Sequence, residues 1–215
     1  LIFYIPLRHT DRRPYHTDRS IDRDTFPHLK VQPALQLDFF SNREARDKIA
    51  DLILEATNVA MQSRSFRSEL AQYVLPNPSK RSVGMPGHTI DMPTPISLIA
   101  PYILRFFNVD KMNAKKNEQL LKESTPTFGI ISSQKDDAYH WMRAGQLYEY
   151  IALEGAKQNI STHIMAAAVQ VDEYYKELQE ITGISLRPQV FFRIGYQKTT
   201  EIPKAPRRQH HEIIT

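Results

Sequence analysis

The polar and apolar positions of this chain alternate mostly with the period of amphipathic helices. The clearest case is residues 41–62, where Ser41 and Asn42 are residue types that cap helices and an apolar stripe follows them. We therefore predict a long helix that buries this stripe. The stripe consists of Ala45, Ile49, Leu52, Ile53, Ala56 and Ala60.

Several other stretches carry the same helical period. Asn159 and Gly183 follow two of them and are residue types that take the left-handed backbone conformation at a helix end. Ser20 or Asp22 is a candidate cap for a further short helix, which contains Pro27. The predicted helices are residues 65–75, 96–109 on either side of Pro101, 111–124 as an exposed helix or linker, 136–158, 172–182 and a short one within 20–31.

Three stretches have the alternating or continuously apolar pattern of strands. They are residues 34–40, 125–132 and 187–196, of which "RPQVFFRIGY" (187–196) is the strongest. Helices outnumber strands, and we find no internal repeat. The pattern therefore favours an α+β fold with layers of helix on sheet, and not a regular βαβ array.

Residues 76–101 interrupt these patterns with repeated prolines and with glycine. At their centre, "SVGMPGHTIDMPTP" (82–95) is typical of a surface loop. Loops of this length without secondary structure are usually functional or mobile. We therefore predict a long loop that acts as a lid.

Composition places the chain among globular proteins. It has 215 residues, 41% of them hydrophobic and 24% charged, which suits one domain over residues 1–215. The absence of cysteine excludes disulfides, thiolate metal sites and thiol nucleophiles, and fits a reducing cytoplasm. No apolar run approaches the ~20 residues that span a bilayer, so we expect no membrane segment. The first residue is Leu1 and not Met, so we also expect residues before it.

Several familiar catalytic motifs are missing. The chain has neither G-x-G-x-x-G nor G-x-x-x-x-G-K-[ST], which disfavours a Rossmann fold or a P-loop. Ser82 and Ser161 lie outside any G-x-S-x-G context, which disfavours an α/β-hydrolase. Metal-ligand spacing is also absent around four histidines, so we predict no metal site. These histidines are His140, His163, His210 and His211.

Two basic clusters lie near opposite ends of the chain, in "LRHTDRRPYH" (7–16) and "PKAPRRQHH" (203–211). In the first, guanidinium groups, a hydroxyl and an imidazole stand close together, and guanidinium binds phosphate oxygens through paired donors. From the residues alone the two clusters either meet over one phosphate or are separate solvated basic segments, and their spacing does not decide between these interpretations. The candidate residues are Arg8, His9, Thr10 and Arg12 in the first cluster and Lys204, Arg207 and Arg208 in the second.

Other interpretations of single residues stay open. The first cluster is also explained as a solvated basic segment that pairs with the nearby acids Asp11, Asp18 and Asp22. His163 either lines a pocket or packs in the core. The aromatic residues of the long helix at 136–158 are interpreted as core or interface residues in preference to partners that stack on a ring; they are Trp141, Tyr148 and Tyr150.

Taken together, these segments resemble the FMN-dependent nitroreductase superfamily. The resemblance is strongest to the C-terminal half of Acg-like proteins, in which two nitroreductase-like halves are fused in one chain. It covers most of the sequence. The segments that carry it are "RHTDRRPY" (8–15), "FRSELAQYV" (66–74), "RSVGMPG" (81–87), "APYILRFFNVDKMNAKK" (100–116), "HWMRAGQLYEYIALEGAKQNIST" (140–162), "LRPQVFFRIGY" (186–196) and "PKAPRRQHHEII" (203–214).

The resemblance implies an α+β fold with a central, mostly antiparallel sheet surrounded by helices, and FMN at a dimer-like interface. A homodimer, or a pseudo-dimer with a missing N-terminal half, would then complete the site. An Arg-x-Ser/Thr-x-Arg/Lys stretch and a late basic pair clasp the FMN phosphate in that family. Arg8, Thr10 and Arg12, with His9 between them, match the first, and Arg207 with Lys204 or Arg208 matches the second.

The resemblance also implies that the flavin ring lies over the stretch "STHIMAAAV" (161–169), where a backbone N–H faces the flavin N5. Met165, Ala166 and Ala167 match these positions, and a backbone donor needs no particular side chain. Many active members carry Glu-Gly or an Asn-Gln-Pro element there, whereas this chain continues with alanines. The partner-subunit stretch that contacts the flavin in the family has no match around "VQPALQLDFF" (31–40).

Three functions follow as hypotheses. The first is an oxidoreductase that passes hydride from NAD(P)H through FMN to nitroaromatic, quinone or similar acceptors, without a catalytic side-chain acid or base. The second is a non-catalytic protein that binds and sequesters FMN. A nucleic-acid-binding module is the third, and the net charge of only +4 disfavours it.

Overall fold

A four-stranded antiparallel sheet lies at the centre of the protein, for which we have a computed structural model describing residues 1–171, 173–199, 201 and 204–208. The sheet order is β1-β4-β6-β5, and two short strands, β2 and β3, pair in parallel away from it. The α+β fold with a central antiparallel sheet is thus confirmed. The strands are β1 (Leu35–Phe40), β2 (Val74–Leu75), β3 (Met85–Pro86), β4 (Thr127–Ser133), β5 (Ile160–Ile164) and β6 (Arg187–Tyr196).

Helices surround this sheet, and the cap predicted at Asn42 forms, together with a cap at Asp137 that the sequence analysis did not predict. The Asn42 side chain accepts a hydrogen bond from the Ala45 N–H at 2.9 Å, and the Asp137 side chain accepts one from the His140 N–H at 3.0 Å. The helices are α1 (Arg43–Gln62), α2 (Arg64–Tyr73), α3 (Thr94–Phe106), α4 (Asp110–Glu123), α5 (Ala138–Lys157), α6 (Ala167–Gln170) and α7 (Tyr174–Thr182), with short 3-10 turns at Ile2–Tyr4 and Gly87–Ile90.

Alternation along the strands supplies two buried layers. In β6, Phe191 contributes to the cluster with α1 and α7, whereas Phe192 contributes to the cluster with α5. Phe128 of β4 stacks near Phe191, with ring centroids 5.3 Å apart. The sheet is therefore covered by helices on both faces, and its ends remain to build a site.

The helix ends predicted from Asn159 and Gly183 are confirmed. Both residues have positive φ, 56° and 71° respectively. Asn159 turns the chain from the end of α5 directly into β5, and the N–H of Gly183 closes α7 by bonding to the carbonyl of Gln179 at 2.8 Å. β5 thereby lies along the edge of β6.

The short helix predicted within residues 20–31 is wrong. The side chain of Asp22 instead accepts a hydrogen bond from the Thr25 N–H at 3.0 Å, and the Thr25 hydroxyl accepts one from the Asp22 N–H at 3.2 Å. These local bonds give the backbone an alternative to a helix, and Pro27 follows within two residues. The segment is a series of turns that packs Phe26 and Leu29 against α5 and the sheet.

The continuous loop predicted over residues 76–101 is also wrong in its extent. Val74 and Leu75 leave the predicted helix 65–75 to pair with Met85 and Pro86, and α3 already begins at Thr94. A proline in the first turn of a helix loses no hydrogen bond, which explains how α3 accommodates Pro95. Residues 76–84 and 91–93 are the irregular parts that remain.

Among the described residues, none of the helices combines the length and the apolar character needed to cross a membrane. The same part of the chain contains no group of three or more histidine and acidic side chains placed to hold a metal ion. His210 and His211 lie outside the described residues.

Candidate functional site

The first basic cluster is held against the ends of β5 and β6. Thr10 forms a parallel bridge with Thr162 of β5, and the His16 N–H bonds to the carbonyl of Tyr196 at 3.0 Å. Tyr15 lies directly on β6 at Gly195, where an added Cβ would come within 2.8 Å of the Tyr15 Cβ. This close approach requires glycine and fixes residues 10–16 beside the sheet.

The second basic cluster meets the first across a cleft of about 550 Å³. The guanidinium of Arg207 donates a hydrogen bond to the backbone carbonyl of Arg8, so the two basic clusters touch. The loop before and after β3 forms the third wall with Ser82, Gly84, Met85 and Thr89. Of the predicted phosphate residues, those that line the cleft are Arg8, His9, Thr10, Arg12, Arg207 and Arg208.

Lys204 stands slightly apart from the other predicted residues. Its backbone carbonyl lies 3.1 Å from Nε2 of His88, which ties the second cluster to the 3-10 turn at Gly87–Ile90. Its charge nevertheless acts on the cleft, because it helps to lower the pKa of His9. Lys204 therefore contributes to the cleft through its backbone carbonyl and its positive charge.

The cleft is strongly cationic in its electrostatics. Burial and the neighbouring Arg207 hold the pKa of His9 below its usual value, against the opposing effect of its hydrogen bond to the Pro6 carbonyl. Burial and Arg8 likewise lower the pKa of Arg207. Positive groups thus repel one another in a partly desolvated space, and a bound anion would relieve that repulsion.

Arg12 is the most buried cation that lines the cleft. Burial is the main cause that lowers its pKa, and Arg193 lowers it further. Its guanidinium lies 3.3 Å from the sulfur of Met85, which is only a weak acceptor. Arg12 therefore retains donors for a ligand.

The alternative interpretation holds for part of the first cluster, because Asp11 pairs with Arg13 and Asp18 lies 3.5 Å from His16, but among the described residues it does not hold for Arg8 and Arg12. The carboxylate of Asp11 pairs with Arg13 at 2.9 Å, and Asp18 lies beside Arg19 at 3.9 Å. Arg8 instead pairs with Glu149 of α5 at 2.9 Å, a partner that the local sequence did not indicate. Across the described residues, Arg8 and Arg12 form no ion pair with Asp11, Asp18 or Asp22.

Behind the cleft the structure adds a residue that the sequence analysis missed. Arg193 of β6 has no exposed surface, and its Nε donates to Nδ1 of His163 at 3.1 Å. Burial and the charges of Arg193 and Arg12 hold the pKa of His163 well below its usual value. His163 is therefore neutral near pH 7 and is fixed by Arg193. The sequence signal was an arginine between Phe192 and Ile194, in the apolar part of the strand.

The positions predicted to face a flavin ring lie at the end of β5. The N–H of Met165 donates to the carbonyl of Phe191 at 2.9 Å, and α6 begins at Ala167. Met165, Ala166 and Ala167 are not among the residues that line the cleft between the termini. Their predicted contact with a ring stays a prediction.

The aromatic residues of α5 have separate roles. Tyr148 is buried, and its hydroxyl lies 2.8 Å from the Thr162 hydroxyl beside the Thr10 bridge. The indole N–H of Trp141 donates to Asp136 at 2.6 Å on the surface. Tyr150 is half-buried and packs at the edge of the core.

Comparison with known proteins finds similar folds but no relative by sequence. The sequence matches no protein-family profile and no curated protein. The fold is similar to the FMN-dependent nitroreductase NfnB from Mycobacterium smegmatis in complex with NADPH, at 13% identity and a TM-score of 0.61, over 99% of this chain and 95% of the other.

Two further solved structures have a similar fold. The FMN- and NADPH-dependent nitroreductase NfnB from sphigopyxis sp. strain HMH is 15% identical with a TM-score of 0.60, over 100% of this chain and 97% of that one. An iodotyrosine deiodinase bound to FMN and 3-iodo-L-tyrosine is 12% identical with a TM-score of 0.52, over 97% and 95%. At these identities the likeness establishes architecture. The chain therefore has the α+β fold of the nitroreductases.

Proposed function

We propose that this protein binds FMN by its phosphate in the cleft between the chain ends and acts as an FMN-dependent oxidoreductase of nitroreductase type. The observation that carries the proposal is the meeting of Arg207 with Arg8 in a cleft that also contains Arg12. The fold shared with FMN-dependent enzymes supports the same ligand.

The side chains present fit a phosphate monoester. Three guanidinium groups and the Thr10 hydroxyl supply donors, and the cationic surroundings of His9 favour a dianion. Arg8, Thr10, Arg12 and Arg207 would hold the phosphate, with Arg208 and Lys204 adding positive charge. When bound, FMN would supply hydride acceptance from NAD(P)H and reduction of nitroaromatic, quinone or similar acceptors.

The chain's own contribution is binding and orientation. The bridge between Thr10 and Thr162 holds the first basic cluster beside β5, and β5 leads directly to residues 165–167. A ligand held by its phosphate at one end would thus lie with its other end toward Ala166 and Ala167. We assign no side-chain acid or base.

We also propose that a second copy of the fold completes the site, as a homodimer or as the other half of a longer chain. The cleft supplies charge but few large apolar groups for a planar ring. One face of α3 meanwhile exposes large apolar side chains, and such patches mark interaction surfaces. They are Ile96, Ile99, Tyr102 and Phe106. Light scattering across a range of concentrations tests this, with Ile99→Glu expected to favour the monomer.

A non-catalytic flavin-binding protein is the second candidate. The observation that favours it is the pairing of the Met165 N–H with the Phe191 carbonyl, which removes one backbone donor from the stretch predicted to face the flavin. Alanines at 166–168 add no polar side chain there. Both candidates share the phosphate clasp.

One experiment separates the candidates. The purified protein is loaded with FMN, and its visible absorption is followed in the absence of oxygen as NADH or NADPH is added. Bleaching that reverses with a quinone or nitroaromatic supports the enzyme. A flavin that stays bound and oxidised supports the carrier, and a protein that retains no FMN rejects both. The proposed use of NAD(P)H also leads us to expect a cytoplasmic protein.

A further inference from the structure

We propose that Arg193 is the positioning residue that holds the N-terminal wall of the cleft, residues 10–13, in its ligand-binding shape. Burying a charge is costly unless the charge is bonded on several sides, so a fully buried arginine within a core strand needs compensating contacts. The FMN affinity used in its test rests on the proposed function, whereas the backbone readout does not.

The contacts of Arg193 converge on this wall. One terminal nitrogen, NH2, donates to the backbone carbonyl of Arg13 at 2.7 Å and to that of Asp11 at 3.3 Å. The guanidinium carbon also lies 4.4 Å from the centre of the Tyr15 ring. The two carbonyls flank Arg12, so Arg193 fixes the backbone on both sides of the buried cation that lines the cleft.

Neighbouring groups reinforce the same geometry. The Tyr15 hydroxyl donates to the Asp11 carbonyl at 2.7 Å, and the Asp11 carboxylate is bonded to the Arg13 side chain. On the other side, the Nε bond of Arg193 to His163 lies next to the strand position that bridges Thr10. Arg193 therefore connects the wall to β6, on which it lies, and to the edge strand β5.

The charge of Arg193 does not stabilise the neighbouring cation. It lowers the pKa of Arg12 and of His163, which means that it repels their charged forms. What Arg193 gives the wall is consequently a set of directed hydrogen bonds. Its orphaned third nitrogen, NH1, adds a buried donor without a protein partner among the described residues.

The planar guanidinium explains why arginine is suited to this position. Its donors point in fixed directions, so one side chain spans His163 and two backbone carbonyls while its face covers Tyr15. A lysine keeps the charge but has a single nitrogen and cannot make these contacts together. Arg193→Lys thus separates geometry from charge.

The test compares Arg193→Lys with Arg187→Lys as a matched control. Arg187 lies at the opposite end of the same strand, where its guanidinium stacks 3.4 Å from the centre of the Tyr175 ring and contacts Asp136. Dissociation constants for FMN and riboflavin are measured, together with hydrogen exchange of residues 8–16 in the ligand-free protein and the midpoint of thermal unfolding.

We expect Arg193→Lys to weaken FMN binding by about tenfold or more, which is the scale of losing one hydrogen bond made by a charged group. Riboflavin binding is expected to weaken less, because the wall acts mainly on the phosphate. Exchange of residues 8–16 is expected to accelerate, with no such change in Arg187→Lys. Wild-type FMN affinity and wild-type exchange in Arg193→Lys would overturn the proposal.

Two milder variants keep the test decisive if Arg193→Lys does not fold. Tyr15→Phe removes only the hydroxyl bonded to Asp11, and His163→Phe removes the acceptor of Arg193. Because only His163→Phe removes a contact of Arg193, its exchange decides: faster exchange of residues 8–16 in His163→Phe supports the proposal, and wild-type exchange overturns it, with Tyr15→Phe as the measure of how far one lost bond to the Asp11 carbonyl accelerates exchange. If the wild-type protein binds no FMN, the proposed function fails, and the exchange data alone decide the role of Arg193.

Discussion

Arg207 donates a hydrogen bond to the backbone carbonyl of Arg8, although 199 positions separate the two residues along the chain. The contact closes a cleft in which cations from both ends face one another. It provides the first prediction. Replacing both residues in Arg8→Ala/Arg207→Ala is expected to leave the fold intact and to abolish retention of FMN through purification, because charged hydrogen bonds contribute about 1.5–3 kcal/mol each.

The measurement for this double variant is FMN affinity by fluorescence, with riboflavin as the ligand that lacks a phosphate. Arg43→Ala serves as the control, since Arg43 is highly exposed on α1 and its ion-pair partner within the described part of the chain is Asp47 at 3.5 Å. A double variant that carries a full flavin load would show that the phosphate is held elsewhere.

Glu149 competes with a ligand for Arg8. The ion pair at 2.9 Å must be weakened before Arg8 can engage a phosphate fully. Glu149→Gln is therefore expected to strengthen FMN binding by about two- to fivefold, the range of a partly exposed ion pair. Titration calorimetry checks this. Glu154→Gln, on the same helix but paired with Lys157, should change nothing, and weaker binding in Glu149→Gln would contradict the prediction.

The stability of the ligand-free protein is expected to fall as the pH drops below about 6.5, the ordinary pKa of histidine. Burial lowers the pKa of both His9 and His163 in the folded protein. Below pH 6.5 the unfolded chain therefore takes up protons that the folded chain does not, and the free energy of unfolding decreases until the lowered pKa values are reached.

Urea unfolding at pH 7.5 and pH 5.5 measures this dependence. His163→Gln is expected to reduce the loss of stability at the lower pH, because it removes the histidine with the stronger shift. His28→Gln, a change at an exposed histidine on the turns before β1, provides the comparison. An equal pH dependence in all three proteins would show that His163 is not buried in the neutral form.

Gly195 is expected to tolerate no side chain. An added Cβ would lie 2.7 Å from Pro126 and 2.8 Å from Tyr15, so Gly195→Ala should destabilise the fold by about 1–3 kcal/mol and weaken FMN binding by displacing residues 10–16. Gly145→Ala is the matched control, because nothing lies within 4 Å of its added Cβ on α5. Urea unfolding and FMN titration distinguish the two, and equal stability would refute the close approach.

The spacing of apolar residues correctly predicted the elements that bury one regular face in the core. The stripe of α1 and the apolar run of β6 are confirmed because burial on a helix face or a strand face imposes a regular spacing. The helix predicted within residues 20–31 does not form, because hydrogen bonds between Asp22 and Thr25 fix the local backbone in turns. The proline content around Pro95 suggested a loop where a helix begins.

The site was predictable only in part. The crowded arginines indicated a bound anion. The contact of Arg8 with Arg207 could not be predicted, because the two residues lie 199 positions apart and residue spacing gives no information on contacts over that distance. Glu149 lies on a helix far along the chain, and nothing near Arg8 in the sequence identifies it. Arg193 was missed because the strand pattern describes burial and not hydrogen-bond direction.

The position of Arg207 after β6 also determines when, during translation, the cleft can form. During translation, Arg8 leaves the ribosome 199 residues before Arg207, and Arg207 emerges only after β6 has been made. A ligand that depends on both clusters cannot be held before Arg207 has been made, so its acquisition would follow the synthesis of Arg207. Ribosome-bound chains that stop at residue 200 should therefore remain colourless.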